Sequence, residues 1–127
     1  MLTHITLLQV TSTRGVAVSP DEIVVGPGCK PAIFFSCMAV LQPGDEMVIP
    51  DPGFPSYTNM ARVCGATPIP VRLNADNTSF DFEALAAAMT PRTRVIIVNS
   101  PSNPTGGVAT ADDLDAIAAL VAKWPRV

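Results

Sequence analysis

The sequence contains little of what several functional classes require. Lysine and arginine total 8 residues, form no run and are outnumbered by acidic residues, so no basic patch for nucleic acid or anionic membranes is predicted. The only histidine is His4 and the three cysteines lack C-x-x-C spacing, which argues against a metal site and for reduced thiols. No apolar run approaches the ~20 residues that span a bilayer, and the N-terminal residues lack the basic region and cleavage site of a signal peptide. These absences predict a cytoplasmic protein with neither nucleic-acid nor membrane partners.

Apolar runs that alternate with helical segments make up most of the chain. Hydrophobic residues are 48% of the 127 and charged residues 15%, which is enough for one core. The predicted strands are EIVVG at 22–26, EMVIP at 46–50, TPIPVRL at 67–73 and RVIIVNS at 94–100. Nearly continuous apolar strands separated by helices are typical of a mostly parallel sheet covered on both faces. The sequence therefore predicts an α/β fold, with the proline-containing third strand at a sheet edge.

Helix signals occupy the segments between these runs. Residues 30–41 are apolar throughout, which predicts a buried helix. Asp81 is a predicted N-cap for a helix that continues through Met89. Thr110 starts a capping-box pattern before a helix that ends near Lys123.

Unusual residues follow three of the predicted strands, whose ends meet at the sheet edge where parallel α/β sheets bind ligands. In GPGCK, residues 26–30, glycines precede a helix N-terminus, which suits a phosphate, although a plain tight turn explains them equally well. DPGFPSY, residues 51–57, contains aromatic residues that the turn does not require, and a core role for Phe54 is the alternative. NSPSNPTGG, residues 99–107, holds the amide of Asn103 between two prolines, and the alternative is an asparagine chosen for its backbone tolerance.

A family resemblance runs through most of the chain. In order and spacing, GPGCKPAIFF, LQPGDEMVIPDPGFPSY, CGATPIPV, TPRTRVIIVNSPSNPTGGV and DDLDAIAAL resemble the large domain of class I/II aminotransferases of the aspartate aminotransferase kind. These are fold-type I enzymes that depend on pyridoxal 5′-phosphate. The resemblance implies a partial large domain at 13–127, with an incomplete three-layer sheet, preceded by a poorly matching segment at 1–12.

The resemblance also implies roles for five residues. Gly28, Cys29 and Lys30 match the turn whose main-chain N–H groups bind the cofactor phosphate. Cys29 stands where relatives often have glycine or a hydroxyl residue, so only main-chain contacts are expected there. Phe54 matches the aromatic residue that stacks on the pyridine ring, and Asn103 matches the asparagine that hydrogen-bonds its phenolic oxygen.

No catalytic residue is assigned, because the family's Schiff-base lysine has no counterpart. The chain has two lysines: Lys30 belongs to the phosphate turn, and Lys123 lies at a predicted helix end without the family's serine-rich context. The acidic partner of the pyridine nitrogen is also expected outside the chain. A chain that provides part of a cofactor site is expected to be inactive alone.

Three functions remain open at this point. The resemblance implies a fragment of an aminotransferase that moves an amino group between an amino acid and a 2-oxo acid, in a homodimeric parent enzyme. A carbon–sulfur β-lyase or related enzyme with the same cofactor is the second reading. The third is an inactive α/β remnant that binds a ligand or a partner chain.

The resemblance also implies details of backbone geometry. The Asp51–Pro52 and Asn103–Pro104 peptide bonds are predicted to be cis. The strands at 46–50 and 67–73 are predicted to be neighbours, whereas those at 22–26 and 94–100 are predicted to pair mainly with strands outside this chain.

Overall fold

The computed structural model describes residues 12, 13 and 15–127. The chain divides into two compact units, Met1–Ile33 and Phe34–Val127. In the described part of the first unit, a 3-10 turn at Pro20–Glu22 precedes the start of helix α1, Cys29–Val40, which continues into the second unit. The predicted segment 1–12 lies outside the described residues except for Ser12, and the predicted domain boundary at residue 13 stays a prediction.

A parallel three-stranded sheet forms the centre of the second unit. Its strands are β1 (Glu46–Asp51), β2 (Thr67–Arg72) and β3 (Thr93–Ile96), in the order β2-β1-β3. β1 and β2 pair in register along their whole length, and the pairing of β1 with β3 shifts register after Glu46. The predicted α/β class and parallel strands are confirmed, and the proline-containing β2 lies at an edge as predicted.

Helices cover both faces of this sheet. The second unit also contains α2 (Ser56–Val63), α3 (Phe82–Ala88) and α4 (Ala111–Val121). Val48 of β1 packs in one cluster with Leu85 of α3 and with residues of α4. Successive side chains of a strand point to opposite faces, and the sulfur of Met47 lies 4.0 Å from that of Cys37 in α1. Residues of α3 and α4 therefore pack on the Val48 face of the sheet, and Cys37 of α1 contacts the opposite face at Met47.

The helix starts that the sequence predicts are present with their caps. The Asp81 side chain accepts a hydrogen bond from the Ala84 backbone N–H at 2.9 Å. The Thr110 hydroxyl accepts from the Asp113 N–H at 3.1 Å, and the Asp113 carboxylate accepts from the Thr110 N–H at 2.8 Å. These bonds satisfy N–H groups that the first turn of a helix leaves without intrahelical partners.

Two predictions about the first part of the chain are wrong. Residues 23–26 of the predicted first strand have no regular structure, and the Val24 side chain is 94% exposed. A strand needs a neighbour for its backbone groups, and none of the described strands pairs with this run. The predicted buried helix exists as α1, but Cys37 is its only buried residue, and Phe35 and Met38 are exposed.

The predicted pairing of the fourth strand is also wrong. β3 pairs with β1, so the run at 94–100 finds a neighbour within this chain. The pairing also extends one residue beyond the strand, because the Ile97 N–H donates to the Val48 carbonyl oxygen at 3.0 Å. The predicted contact between β1 and β2 is confirmed.

Candidate functional site

The carboxyl ends of β1 and β3 lie at one edge of the sheet, because the two strands are adjacent and parallel. Phe54 follows β1 in the chain, and Asn103 follows β3. The structure therefore brings the segments that carry these two predicted site residues to the same edge. This is the edge at which parallel α/β sheets bind ligands.

The Phe54 ring is held by the start of α2. It is half-buried, and its centroid lies 5.6 Å from that of the buried Tyr57, with the ring planes at 79°. Such an edge-to-face contact fixes the orientation of a ring. A side chain at Gly53 would place its first carbon 2.2 Å from the Pro50 carbonyl oxygen, so the turn before Phe54 admits only glycine.

Asn103 lies on a tight turn at 102–107, here called the 102–107 turn. The Ser102 N–H donates to the Gly107 carbonyl oxygen at 2.8 Å, and the Gly106 N–H donates to the Ser102 carbonyl oxygen at 2.7 Å. Ser102 is buried, whereas Asn103 is exposed. The Asn103 side chain has no hydrogen bond with another described residue, so its amide is available to a ligand.

The peptide bonds around these residues agree with prediction. Asp51–Pro52 and Asn103–Pro104 are both cis. Ser100–Pro101 is cis as well, which the sequence reasoning did not anticipate.

Gly28, Cys29 and Lys30 are contiguous at the start of α1, and all three are exposed. Gly28 has a φ of 110°, a conformation that side chains other than hydrogen disfavour. It therefore allows the chain to turn sharply into the helix at Cys29. A helix N-terminus carries a partial positive charge and directs backbone N–H groups outward, which suits an anion.

Three charged residues lie outside the predicted site: Arg72, Asp81 and Lys123. The Arg72 guanidinium pairs with the Asp81 carboxylate at 2.7 Å. The hydrogen bond from the Ala84 N–H, followed by that from Arg72, holds the pKa of Asp81 below its ordinary value. Lys123 is exposed just after α4, as expected for a charge at a helix end.

Comparison with known proteins identifies the group to which these features belong. The family model for aminotransferase class I and II matches residues 5–125. The chain belongs to the aminotransferase class I and II family.

Individual relatives agree with this assignment. The chain is 42% identical to an aspartate aminotransferase of Rhizobium meliloti over 116 residues, which is 90% of this chain and 28% of that protein. It is 40% identical to the aspartate/prephenate aminotransferase of Cereibacter sphaeroides over 116 residues, or 90% of this chain and 29% of that protein. The crystal structure of the Rhizobium meliloti aspartate aminotransferase superposes with a TM-score of 0.92 at 35% identity and covers 99% of this chain and 32% of that one.

The chain thus spans less than a third of the length of these aminotransferases. Within the described residues, no helix has the length and apolar character that crossing a membrane requires.

The sequence reasoning missed a contact at this edge. The Thr105 hydroxyl donates to the Asn77 carbonyl oxygen at 3.1 Å, which connects the 102–107 turn to the loop after β2. The run NADNTS is typical of a turn, but nothing in the sequence indicates which part of the chain it contacts.

Proposed function

We propose that this chain supplies the phosphate turn, the ring-stacking residue and the phenolic-oxygen ligand of a pyridoxal-phosphate-dependent aminotransferase. The observation that carries the proposal is that Phe54 and Asn103 follow the carboxyl ends of two neighbouring parallel strands. The chain that carries them belongs to the aminotransferase class I and II family. One relative is named an aspartate aminotransferase and another an aspartate/prephenate aminotransferase. We therefore propose an amino acid and a 2-oxo acid as the substrates of the whole enzyme.

The residues at this edge fit a planar aromatic cofactor with an ionised oxygen. The exposed Asn103 amide can donate a hydrogen bond to that oxygen, and no other described residue competes for it. Phe54 offers an aromatic ring whose orientation the contact with Tyr57 maintains. The proposed role of Phe54 is to contact one face of the cofactor ring and exclude water from it.

The start of α1 fits the phosphate group. The proposed ligands are the main-chain N–H groups at Gly28, Cys29 and Lys30, aided by the positive end of the helix dipole. The Lys30 ammonium group adds a positive charge beside them. Cys29 contributes through its main chain, so its thiol is not required.

When bound, pyridoxal phosphate supplies an electron sink for negative charge that develops at the substrate Cα. The Asn103 amide stabilises the ionised phenolic oxygen, because a hydrogen bond to a charged acceptor is about twice as strong as a neutral one. Neither Lys30 nor Lys123 is proposed to carry the cofactor covalently. A lysine from outside this chain is required for that role and for proton transfer.

Complementation tests this proposal. The purified chain alone is expected to have no transaminase activity, and borohydride reduction with peptide mapping should find no stoichiometric pyridoxyl group on Lys123. Addition of a polypeptide that carries the rest of the domain should restore activity. Asn103→Ala should then reduce that activity, whereas Lys123→Ala, the control at an exposed helix end, should not.

The opposite results would contradict the proposal. Full-yield labelling of Lys123 would show that this chain provides the covalent attachment itself. Unchanged activity in Asn103→Ala would remove the amide from the cofactor site. We also propose that the whole enzyme is cytoplasmic and that it is a homodimer. Sedimentation of the complemented enzyme would test the homodimer.

A further inference from the structure

The loop that connects β2 to α3 has an internal structure of its own. An antiparallel bridge between Leu73 and Phe80 closes it, and its residues 74–79 are here called the 74–79 loop. The Asn74 side chain accepts from the Thr78 N–H at 3.0 Å and donates to the Thr78 hydroxyl at 3.0 Å. The Asn74 N–H donates to the Ser79 carbonyl oxygen at 2.9 Å. Bonds within the loop therefore determine its shape.

Asn77 occupies an unusual backbone conformation at the tip of this loop. Its φ is 55°, and its N–H donates to the Asn74 carbonyl oxygen at 2.9 Å. Asparagine adopts this left-handed region more readily than most residues. In this conformation the Asn77 carbonyl oxygen accepts the hydrogen bond from the Thr105 hydroxyl.

Thr105 and Gly107 of the 102–107 turn both lie close to Asn77 of the 74–79 loop. The Thr105 hydroxyl oxygen accepts from the Gly107 N–H at 3.3 Å while it donates to Asn77. A side chain at Gly107 would place its first carbon 2.0 Å from the Asn77 carbonyl oxygen, so glycine is required for this approach. Thr78 and Ser102 also line one cavity of about 20 Å³, which is room for about one water molecule.

The position of Asn103 follows from the backbone of the 102–107 turn. Asn103 has no hydrogen bond of its own with a described residue, so the backbone of the 102–107 turn determines where its amide lies. That turn is connected to the 74–79 loop through the Thr105 hydroxyl. The loop itself is attached to the sheet, because the Leu73 N–H donates to the Asp51 carbonyl oxygen at 3.2 Å.

We propose that the 74–79 loop positions the Asn103 amide and that the Thr105 hydroxyl is the positioning group that connects them. This inference rests on the proposed function, in which that amide binds the cofactor. Thr105 itself does not contact the cofactor in this proposal. Its effect on binding passes through the backbone of the 102–107 turn.

Two substitutions of matched size test the hydroxyl. Thr105→Val removes the hydroxyl and keeps the side-chain volume, whereas Thr105→Ser keeps the hydroxyl. The probe for the full chain is pyridoxine 5′-phosphate, which has no aldehyde and cannot react with lysine, and its binding is measured by equilibrium dialysis. Thr105→Val is expected to weaken binding about fivefold, the usual effect of one lost hydrogen bond, and Thr105→Ser is expected to restore it.

A double-mutant cycle tests whether the effect passes through Asn103. Asn103→Ala is expected to weaken binding, and Thr105→Val should cause no further loss when Asn103→Ala is already present. Where Asn103→Ala does weaken binding, equal losses from Thr105→Val with and without Asn103→Ala, or no loss from Thr105→Val, would overturn the inference.

Amide hydrogen exchange separates this inference from the proposed function. Thr105→Val is expected to speed exchange at the Gly106 N–H at least about fivefold, and Thr105→Ser is expected to leave it unchanged. If Asn103→Ala does not alter binding while exchange at Gly106 becomes faster in Thr105→Val, the proposed function fails and the loop still positions the turn. Unchanged exchange in Thr105→Val overturns the inference whatever the binding result.

Discussion

A single buried carboxylate connects the amino ends of two strands. Glu46, the first residue of β1, accepts from the Arg92 guanidinium at 2.9 and 2.5 Å and from the Thr90 hydroxyl at 2.5 Å. Its side chain is 6% exposed and that of Arg92 is 66% exposed. Burial raises the pKa of Glu46, but the hydrogen bonds from Thr90 and Arg92 and the charge of Arg92 outweigh it, so the pKa lies below its ordinary value.

This arrangement predicts that acid destabilises the chain through Glu46. Because its folded-state pKa is lowered, the carboxylate contributes stability above the ordinary value of about 4.3, and the contribution is lost as the pH falls through the folded-state pKa. Glu46→Gln should therefore reduce the difference in unfolding free energy between about pH 7 and about pH 3. Urea unfolding followed by fluorescence of the single tryptophan, Trp124, measures this difference.

The control is Asp76→Asn in an exposed loop, which should keep the wild-type pH dependence. The interpretation would be wrong if Glu46→Gln and wild type lost equal stability over this pH range.

At the scale of single elements, helix α4 shows what a local signal contributes. Its capping box uses only residues within the first turn, Thr110 and Asp113. Such bonds do not depend on distant parts of the chain, which is why the sequence alone predicted this helix start.

Removal of this N-cap hydrogen bond should lower the free energy of unfolding. Thr110→Ala is expected to lower the unfolding free energy by about 1 kcal/mol, because the Asp113 N–H loses its acceptor. Thr110→Ser retains a hydroxyl and should behave as wild type. Urea unfolding of the three proteins decides the question, and equal stability of the alanine and serine variants would exclude a capping role.

Strands were less predictable than helices for a physical reason. The run at 22–26 has strong β-branched character but is irregular, whereas β3 forms because β1 lies beside it. Strand propensity reflects the neighbours that a segment finds, and those neighbours are distant in sequence. The sequence could predict where apolar runs occur, but not that β3 would pair with β1.

In the candidate site, too, the sequence predicts the local features but not the contacts between distant segments. Motif residues such as Phe54 and Asn103 could be selected from the sequence because their turns are local and rich in proline and glycine. The contact between Asn77 and Thr105 could not, because it joins segments 28 residues apart through a backbone carbonyl oxygen. Backbone acceptors have no sequence signature.

At the scale of the whole molecule, one apolar cluster supports the Val48 face of the sheet. Leu85 is fully buried in it, whereas Leu114 on the neighbouring helix is 46% exposed. Leu85→Ala is expected to cost about 2–5 kcal/mol, a loss comparable with the whole stability of a small domain. Protease resistance and circular dichroism should show this variant largely unfolded.

Leu114→Ala makes the same chemical change at the surface and should leave the chain folded. Similar losses from the two substitutions would mean that the buried cluster does not determine stability.

Large apolar side chains are exposed on α1 and in the segment before it, including Val24, Phe35 and Met38. Exposed apolar groups of this kind favour association. The purified chain is therefore expected to self-associate as its concentration rises. Sedimentation velocity over a range of concentrations measures this, and Phe35→Glu should reduce the association. A monomer at every concentration would contradict the prediction.

The two prolines of β2 determine which side of the sheet can pair with a further strand. The Thr67 N–H donates to the carbonyl oxygen of Asp45, the residue before β1, and the Leu73 N–H donates to that of Asp51, the last residue of β1. The N–H groups of alternate residues along β2 therefore face β1. Pro68 and Pro70 occupy the positions between, where an outward N–H would otherwise be offered, and proline has none. An added strand would therefore find missing donors beside β2, whereas β3 contains no proline. Further strands can pair with β3, whereas β2 remains an edge strand.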